Sequence, residues 1–336
     1  MTEVKEVVAL NDSVQTILDR SNDIQSKCRD FTVAGAHSKN IRFNENCGLT
    51  FIPNDNSGIH SLAITKHSLS QLCAKMGVPV RYLEKCINEG RLELAQDNLN
   101  SWLSDYKKDL FIREYDGNAR GILSSKYAIC DTPDILNVLM DVLDMDNYDL
   151  KGSFLNEERL HLRLISKEKL PVLNEDLFAG LFIDSSDVGR STLTVKFCIY
   201  KQVCTNGLIV PKKYGDVFEQ KHIGITAEEF HTGLSSSISK LDEYTENAIQ
   251  MVNNAIELPS GFANSDNEEE ITQLVKADTN LSNEGASEVV TLMLTKYGYN
   301  LWGYLNSITE VAQNYTLETR IGLETLAGKK LAQAFA

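Results

Sequence analysis

The sequence is short of positive charge. Its 336 residues include 33 Lys and Arg against 47 Asp and Glu, a formal net charge of −14, and the isoelectric point is about 4.9. A protein that simply coats nucleic acid carries the opposite balance, so the composition argues against that role. Long apolar runs are missing too. None approaches the roughly 18 residues a membrane helix needs, and no membrane association is expected. The first residues, Met1 to Asn11, have neither the basic start nor the apolar stretch of a secretion signal, which makes a cytoplasmic protein the expectation.

Paired cysteines are also lacking. Cys28, Cys47, Cys73, Cys86, Cys130, Cys198 and Cys204 are odd in number and scattered, with no C-x-x-C pair. This fits free thiols in a reducing compartment. His60, His67 and Cys73 are spaced too loosely for a structural zinc site, which wants four ligands in tight pairs. No metal and no cofactor is expected. The sequence has no phosphate-binding Gly-x-x-x-x-Gly-Lys-Ser/Thr, no Gly-x-Gly-x-x-Gly, no Gly-x-Ser-x-Gly and no His-Glu-x-x-His, which removes the commonest nucleotide, hydrolase and protease signatures. Asp105-Tyr106-Lys107 and Glu219-Gln220-Lys221 match half of a metal-dependent nuclease motif, but among 47 acids such triplets arise by chance. The expectation is a non-enzyme, with a metal-dependent nuclease as the remaining catalytic reading.

What is present is ordinary for a globular chain: 42% hydrophobic and 24% charged residues. The length exceeds the roughly 250–300 residues at which single cores stop growing, so one large or two medium domains are expected. Residues 1–30 read as a polar helical arm. Residues 31–64 have strand-and-turn composition. From Thr65 the period becomes helical: Leu69, Leu72, Cys73 and Met76 lie on one face and Gly77 ends it. A second helix follows Pro79, and a third runs through Leu92, Ala95, Leu99, Trp102 and Leu103. The first two have the outline of a helix-turn-helix, but a reading helix wants groove-facing Arg, Asn or Gln. Only Arg81 and Lys85 are offered, and packing on a sheet is the plainer reading.

Leu110–Tyr115 and Ala119–Ser124 flank the turn residues Asp116-Gly117-Asn118, a hairpin. Thr132-Pro133-Asp134 reads as a helix start. Leu160, Leu162 and Leu164 alternate with His161, Arg163 and Ile165, and Asp176–Asp184 is a further strand. The strongest strand signal is Leu193, Val195, Phe197 and Ile199 alternating with Thr194, Lys196, Cys198 and Tyr200. One face is greasy; the other reads as polar. Asn206-Gly207 suggests a turn. From about Thr226 the pattern is helical, broken at Pro259-Ser260-Gly261. The fold class expected is α+β: an antiparallel or mixed sheet with packed helices over 31–225, followed by a helical C-terminal region over 226–336 that mediates self-association.

Charge is unevenly placed. Residues 131–149 hold six Asp and no cation, and residues 260–288 hold seven acids against Lys276. Residues 189–222 carry six cations against two acids, a balance of 6 − 2 = +4 within a chain of −14. Cations beside aromatic faces suit single-stranded nucleic acid, because they combine phosphate neutralisation with stacking. The candidate contacts are Arg190, Lys196, Tyr200, Lys201, Lys212, Lys213 and Tyr214. The plainer alternative is a lysine-bearing outer strand face.

Ala63-Ile64-Thr65-Lys66-His67-Ser68-Leu69-Ser70-Gln71-Leu72-Cys73, Gly77–Leu83, Arg113–Ser124, Leu160-His161-Leu162-Arg163, Val203–Leu208 and Trp302-Gly303-Tyr304-Leu305-Asn306 together resemble the phage- and plasmid-borne family catalogued as domain of unknown function 932. The resemblance spans roughly residues 60–330. It implies a mobile-element protein in a bacterial host cell and carries over no catalytic residue. Two roles are then expected. One is a single-stranded DNA-binding or annealing accessory in recombination or replication, acting as a homo-oligomer through its C-terminal helices. The other is an anti-defence interaction protein that blocks a host defence or restriction complex, its acidic stretches meeting a basic target surface.

Overall fold

The computed structural model describes residues 8–9, 13–35, 40–172, 175–201, 206–209, 216–220, 226–238, 240–262 and 267–333. In chain order the elements are β1 (Val8–Ala9), α1 (Val14–Ser26), β2 (Cys28–Val33), β3 (Ile41–Phe43), β4 (Gly48–Phe51), β5 (His60–Ile64), α2 (Lys66–Met76), α3 (Val80–Asn88), α4 (Leu92–Asp105), β6 (Leu110–Tyr115), β7 (Asn118–Ser124) and α5 (Thr132–Val142). They continue as β8 (Tyr148–Leu155), β9 (Leu160–Lys169), β10 (Leu177–Ser185), β11 (Leu193–Lys201), β12 (Asn206–Ile209), β13 (Asp216–Gln220), α6 (Ala227–Ile238), α7 (Leu241–Glu257), α8 (Glu268–Thr279), α9 (Asn283–Leu292), α10 (Leu301–Val311) and α11 (Leu317–Gln333). The fold is α+β. Among the described residues no helix is long and apolar enough to cross a membrane, and Cys28, Cys47, Cys73, Cys86, Cys130 and Cys198 are free.

The strands form two sheets. One, in the order β2-β6-β7-β5-β4-β3, is mixed, because β5 runs parallel to β7 while its other pairs are antiparallel. The other, β1-β8-β9-β10-β11-β12 with β13 also on β11, is antiparallel throughout. Local chemistry sets the turns. Asp116 and Gly117 take positive φ, 48° and 79°, so β6 and β7 close with Tyr115 opposite Asn118 in the mirror-image turn such residues permit. Thr65 and Ser68 cap α2 reciprocally, and Gly77 ends it in the left-handed region.

Each sheet has its own core. Leu49, Leu69, Leu72, Leu83, Leu99 and Ile112 belong to the core under α2–α4. Leu162, Leu164, Ile183, Val195 and Phe197 belong to the other, together with α1, α5 and the C-terminal helices. The described helix within residues 1–30 packs on the body: Val14, Ile17 and Leu18 of α1 enter the second core. The strands divide between two cores, and Phe230, Leu234, Val252, Leu305, Ile308 and Leu331 pack into the core of the second sheet. These apolar faces, read from the sequence as surfaces for self-association, meet their own sheet, which is where amphipathic helices bury most apolar area.

Two local readings shift as well. The cap of α5 is Asp131, one residue before the expected Thr132, with Asp134 accepting from the Asp131 N–H at 3.1 Å. Asn206-Gly207 opens β12 rather than forming a turn.

Candidate functional site

The basic band is largely turned away from solvent where it is described, Arg190 being its exposed member. Tyr200 is only 4% exposed and packs with Ile165 and Cys198, partly against Phe178. It cannot present a ring for stacking, which corrects the expectation. Lys201 is pinned by Glu175 at 2.6 Å, with its ammonium 5.1 Å from the Tyr297 ring. Arg190 reaches inward to the buried Glu158, Nε to Oε2 at 2.7 Å. Lys196 is half-buried and pairs in register with Phe182 on one side and Asp216 on the other. Lys212, Lys213 and Tyr214 lie outside the described residues. Of the two nuclease half-motifs, Asp105 ends α4 and Glu219 lies in β13 on the other sheet, while Lys221 is outside the described residues. Among the described residues no three His, Cys, Asp or Glu cluster as metal ligands would.

A dense polar cluster among the described residues lies elsewhere, where the loop after β10 meets the first sheet. Arg113 of β6 is fully buried and uses its whole guanidinium. It donates to Asp30 (2.9 and 3.0 Å), to Asp131 (2.6 Å twice) and to the Asp187 carbonyl (2.7 Å). Burial opposes its charge, but the hydrogen bonds and charges of Asp131 and Asp30 prevail and raise its pKa. Asp187 in turn accepts from the Thr132 N–H and hydroxyl, at 3.1 and 3.0 Å. Burial, then the charge of Asp131, pushes its carboxyl up to about 6. The next carbonyl, Val188, accepts from Gln71 at 2.7 Å and lies 3.1 Å from His67 Nε2, while Gln71 Oε1 accepts from the Ile122 N–H. Tyr127 donates to the carbonyls of Ser186 and Asp187. Arg120, also fully buried, donates to the Glu157 carbonyl.

Three stretches that carry the family resemblance thus converge on one loop: Ala63–Cys73 through His67 and Gln71, Arg113–Ser124 through both arginines, and Leu160–Arg163 through the adjoining strand face. Sequence reasoning took Arg190 at the end of that loop for a nucleic-acid contact and passed over the rest of it, and over Arg113, Arg120 and Glu158 as site residues. The signal lay in charged residues at strand positions whose neighbours on both faces are apolar. Chemically the junction is a lock. The Cys28 and Cys130 thiols beside it are pushed up to about 11 and about 12, in both cases by burial first, so neither is a thiolate nucleophile at neutral pH.

A second polar group lies on the sheet face opposite the core. His161 is buried, with Nδ1 3.7 Å from Asp184 and its ring edge-on to Phe182. Burial lowers its pKa, and Arg163 and Arg159 add to this against the opposing pull of Asp184. A histidine depressed in the fold contributes stability above its unfolded pKa of about 6.5 and loses it as pH falls. The Tm of a His161→Leu variant relative to the parent should therefore rise as pH is lowered from about 7.5 to about 5.5. A constant difference would refute this. The comparison with the variant matters because the raised Asp187 acts in the opposite direction in both proteins and cancels in the difference.

Comparison with known proteins gives one match. The family described as a domain of unknown function, DUF932, matches residues 119–332, from the second residue of β7 to near the end of α11. No curated protein and no solved structure matches.

Proposed function

The chain belongs to the DUF932 family, and from that premise we propose that it is a non-enzymatic interaction protein that blocks a basic, nucleic-acid-handling partner such as a host restriction complex. One observation carries this reading: two cations of the basic band are held by acids of the chain itself, while the acids of residues 267–288 face largely outward. Arg190 and Lys201 are held by Glu158 and Glu175. Residues 267–288 carry six acids against one lysine, 1 − 6 = −5, and Glu268, Glu269, Glu270, Glu284 and Glu288 are all exposed. Such a surface repels phosphate and complements the basic groove of a DNA-binding protein.

The test uses the purified full chain against DNA cleavage by a restriction complex, with binding to single- and double-stranded oligonucleotides measured at about 50 and 200 mM salt. Inhibition of cleavage is expected, reduced at least tenfold by the combined changes Glu268→Gln, Glu269→Gln and Glu270→Gln. These keep the helix-capping geometry while removing charge. Salt-sensitive binding of single strands, or inhibition indifferent to those changes, would overturn the reading in favour of a nucleic-acid role.

A further inference from the structure

The helices α3 and α4 expose large apolar side chains that no described element of the chain covers. Tyr82 is 40%, Leu94 43% and Trp102 53% exposed. Leu94, Asn98 and Trp102 follow one another at i, i+4 and i+8 and so share one face of α4. Asn98 donates to the Tyr82 hydroxyl at 3.4 Å, which sets Tyr82 beside the middle of that stripe. The three side chains form one patch spanning two helices. None of them holds up the helices: α4 is anchored from its other side by Ala95, Leu99 and Leu103, and α3 by Leu83 and Cys86.

We propose that this face is a docking site for an amphipathic, lysine- or arginine-rich helical segment of a partner protein. The proposal rests on the protein-partner reading above and locates an anchor that its acidic surface lacks. Tyrosine and tryptophan are the side chains that dominate binding energy at protein interfaces. The rim selects among occupants. Glu93, Asp97 and Asp105 stand exposed along α4, with no ion pair drawn to them among the described residues. On the α3 side Lys85 and Arg91 both turn to Glu89, at 3.8 and 3.7 Å. Counting Glu84 and Arg81 as well, five acids face three cations, 3 − 5 = −2. A second copy of this chain brings −14, and a nucleic-acid strand brings phosphates, so both are repelled. A cationic segment with an apolar face meets the rim and the anchors together.

The test uses the full chain carrying Trp302→Phe. The chain has two tryptophans and Trp302 is buried, so emission then reports Trp102 alone. The probe is a peptide of about 18 residues with leucines on one helical face and lysines on the other. Binding should blue-shift the emission. In an anisotropy assay with labelled peptide, Trp102→Ala should weaken binding at least tenfold, and Leu94→Glu should do likewise. The helices should remain folded by circular dichroism, because the changed side chains point outward. Binding within twofold of the parent in Trp102→Ala would overturn the site, as would equal binding of the same peptide with glutamates in place of lysines. Quenching of Trp102 by a single-stranded oligonucleotide would replace the occupant with nucleic acid. A dimer in sedimentation that Trp102→Ala dissociates would replace it with a second copy. The Glu268, Glu269 and Glu270 changes should leave peptide binding unaltered, so failure of the restriction assay and failure of this site are separate results.

Discussion

Arg113→Ala should destabilise the chain by about 3–5 kcal/mol, the range for removing one partner of a buried ion pair. It should also split a joint unfolding transition into two. The first effect follows from what stays behind. The Asp30 and Asp131 carboxylates and the Asp187 main-chain carbonyl converge on the site of the guanidinium, and the Asp131 and Asp187 carboxylates are almost wholly buried. Without Arg113 those carboxylates face one another in a low-dielectric space, and only the neighbouring Arg120, 3.6 Å from Asp187, offsets them. The second effect follows from position. Arg113 sits in β6 of the first sheet, while Asp131 caps α5 and Asp187 follows β10, both parts of the second core. Three of its five bonds, the two to Asp131 and the one to the Asp187 carbonyl, therefore join the two cores, while the two to Asp30 stay within the first sheet. Denaturant unfolding followed by far-ultraviolet circular dichroism and by Trp302 fluorescence (in a Trp102→Phe background) reads both effects. Coincident curves shifted by under about 1 kcal/mol would mean that the junction is held by its backbone hydrogen bonds instead.

That junction also marks where the sequence stops being legible. Elements whose cause is local could be read directly: the β6–β7 hairpin from Asp116-Gly117, α2 from its period and Gly77, β9 to β11 from their alternation. The division of the strands between two sheets could not, because it depends on which strands pair over long separations. β2 joins β6 across some eighty residues, and β1 joins β8 across more; nothing local to β2 or β1 specifies a partner. The basic band failed for a related reason. Alternation along β11 correctly put Val195 and Phe197 in the core, and it left Tyr200 and Cys198 on the other face. It could not say that this other face would be covered too. The clue was in the neighbouring strands, where Ile165, Phe182 and Phe178 take the same side in register. A face that is polar by composition in one strand and largely apolar in the strand beside it is a buried face holding ion pairs, not a wet one.

The covering element is α11, and the expected consequence is that Glu324→Ala destabilises the chain by about 3–5 kcal/mol. Glu324 is fully buried. It accepts from Arg163 of β9 through both carboxylate oxygens and from Arg320 one turn earlier at 3.0 Å. Burial opposes the charge on Arg163, and Glu324 more than compensates. For Arg320 burial wins, and Arg163 lowers it further. Two cations therefore share one carboxylate. Deleting that carboxylate leaves both cations facing each other beside Phe182, whose ring centre lies 5.9 Å from the Arg163 guanidinium. Removing the attraction and the pair together gives the decisive comparison. The double change Arg163→Met with Glu324→Met fills similar volume without charge and should recover most of the lost stability, because desolvating such pairs offsets much of their attraction. If the double variant is as unstable as Glu324→Ala, the loss comes from packing around α11. If it recovers, the ion pair chiefly fixes where α11 lies across the sheet, and with it the burial of the tyrosine and lysine that the sequence alone would have offered to a nucleic acid.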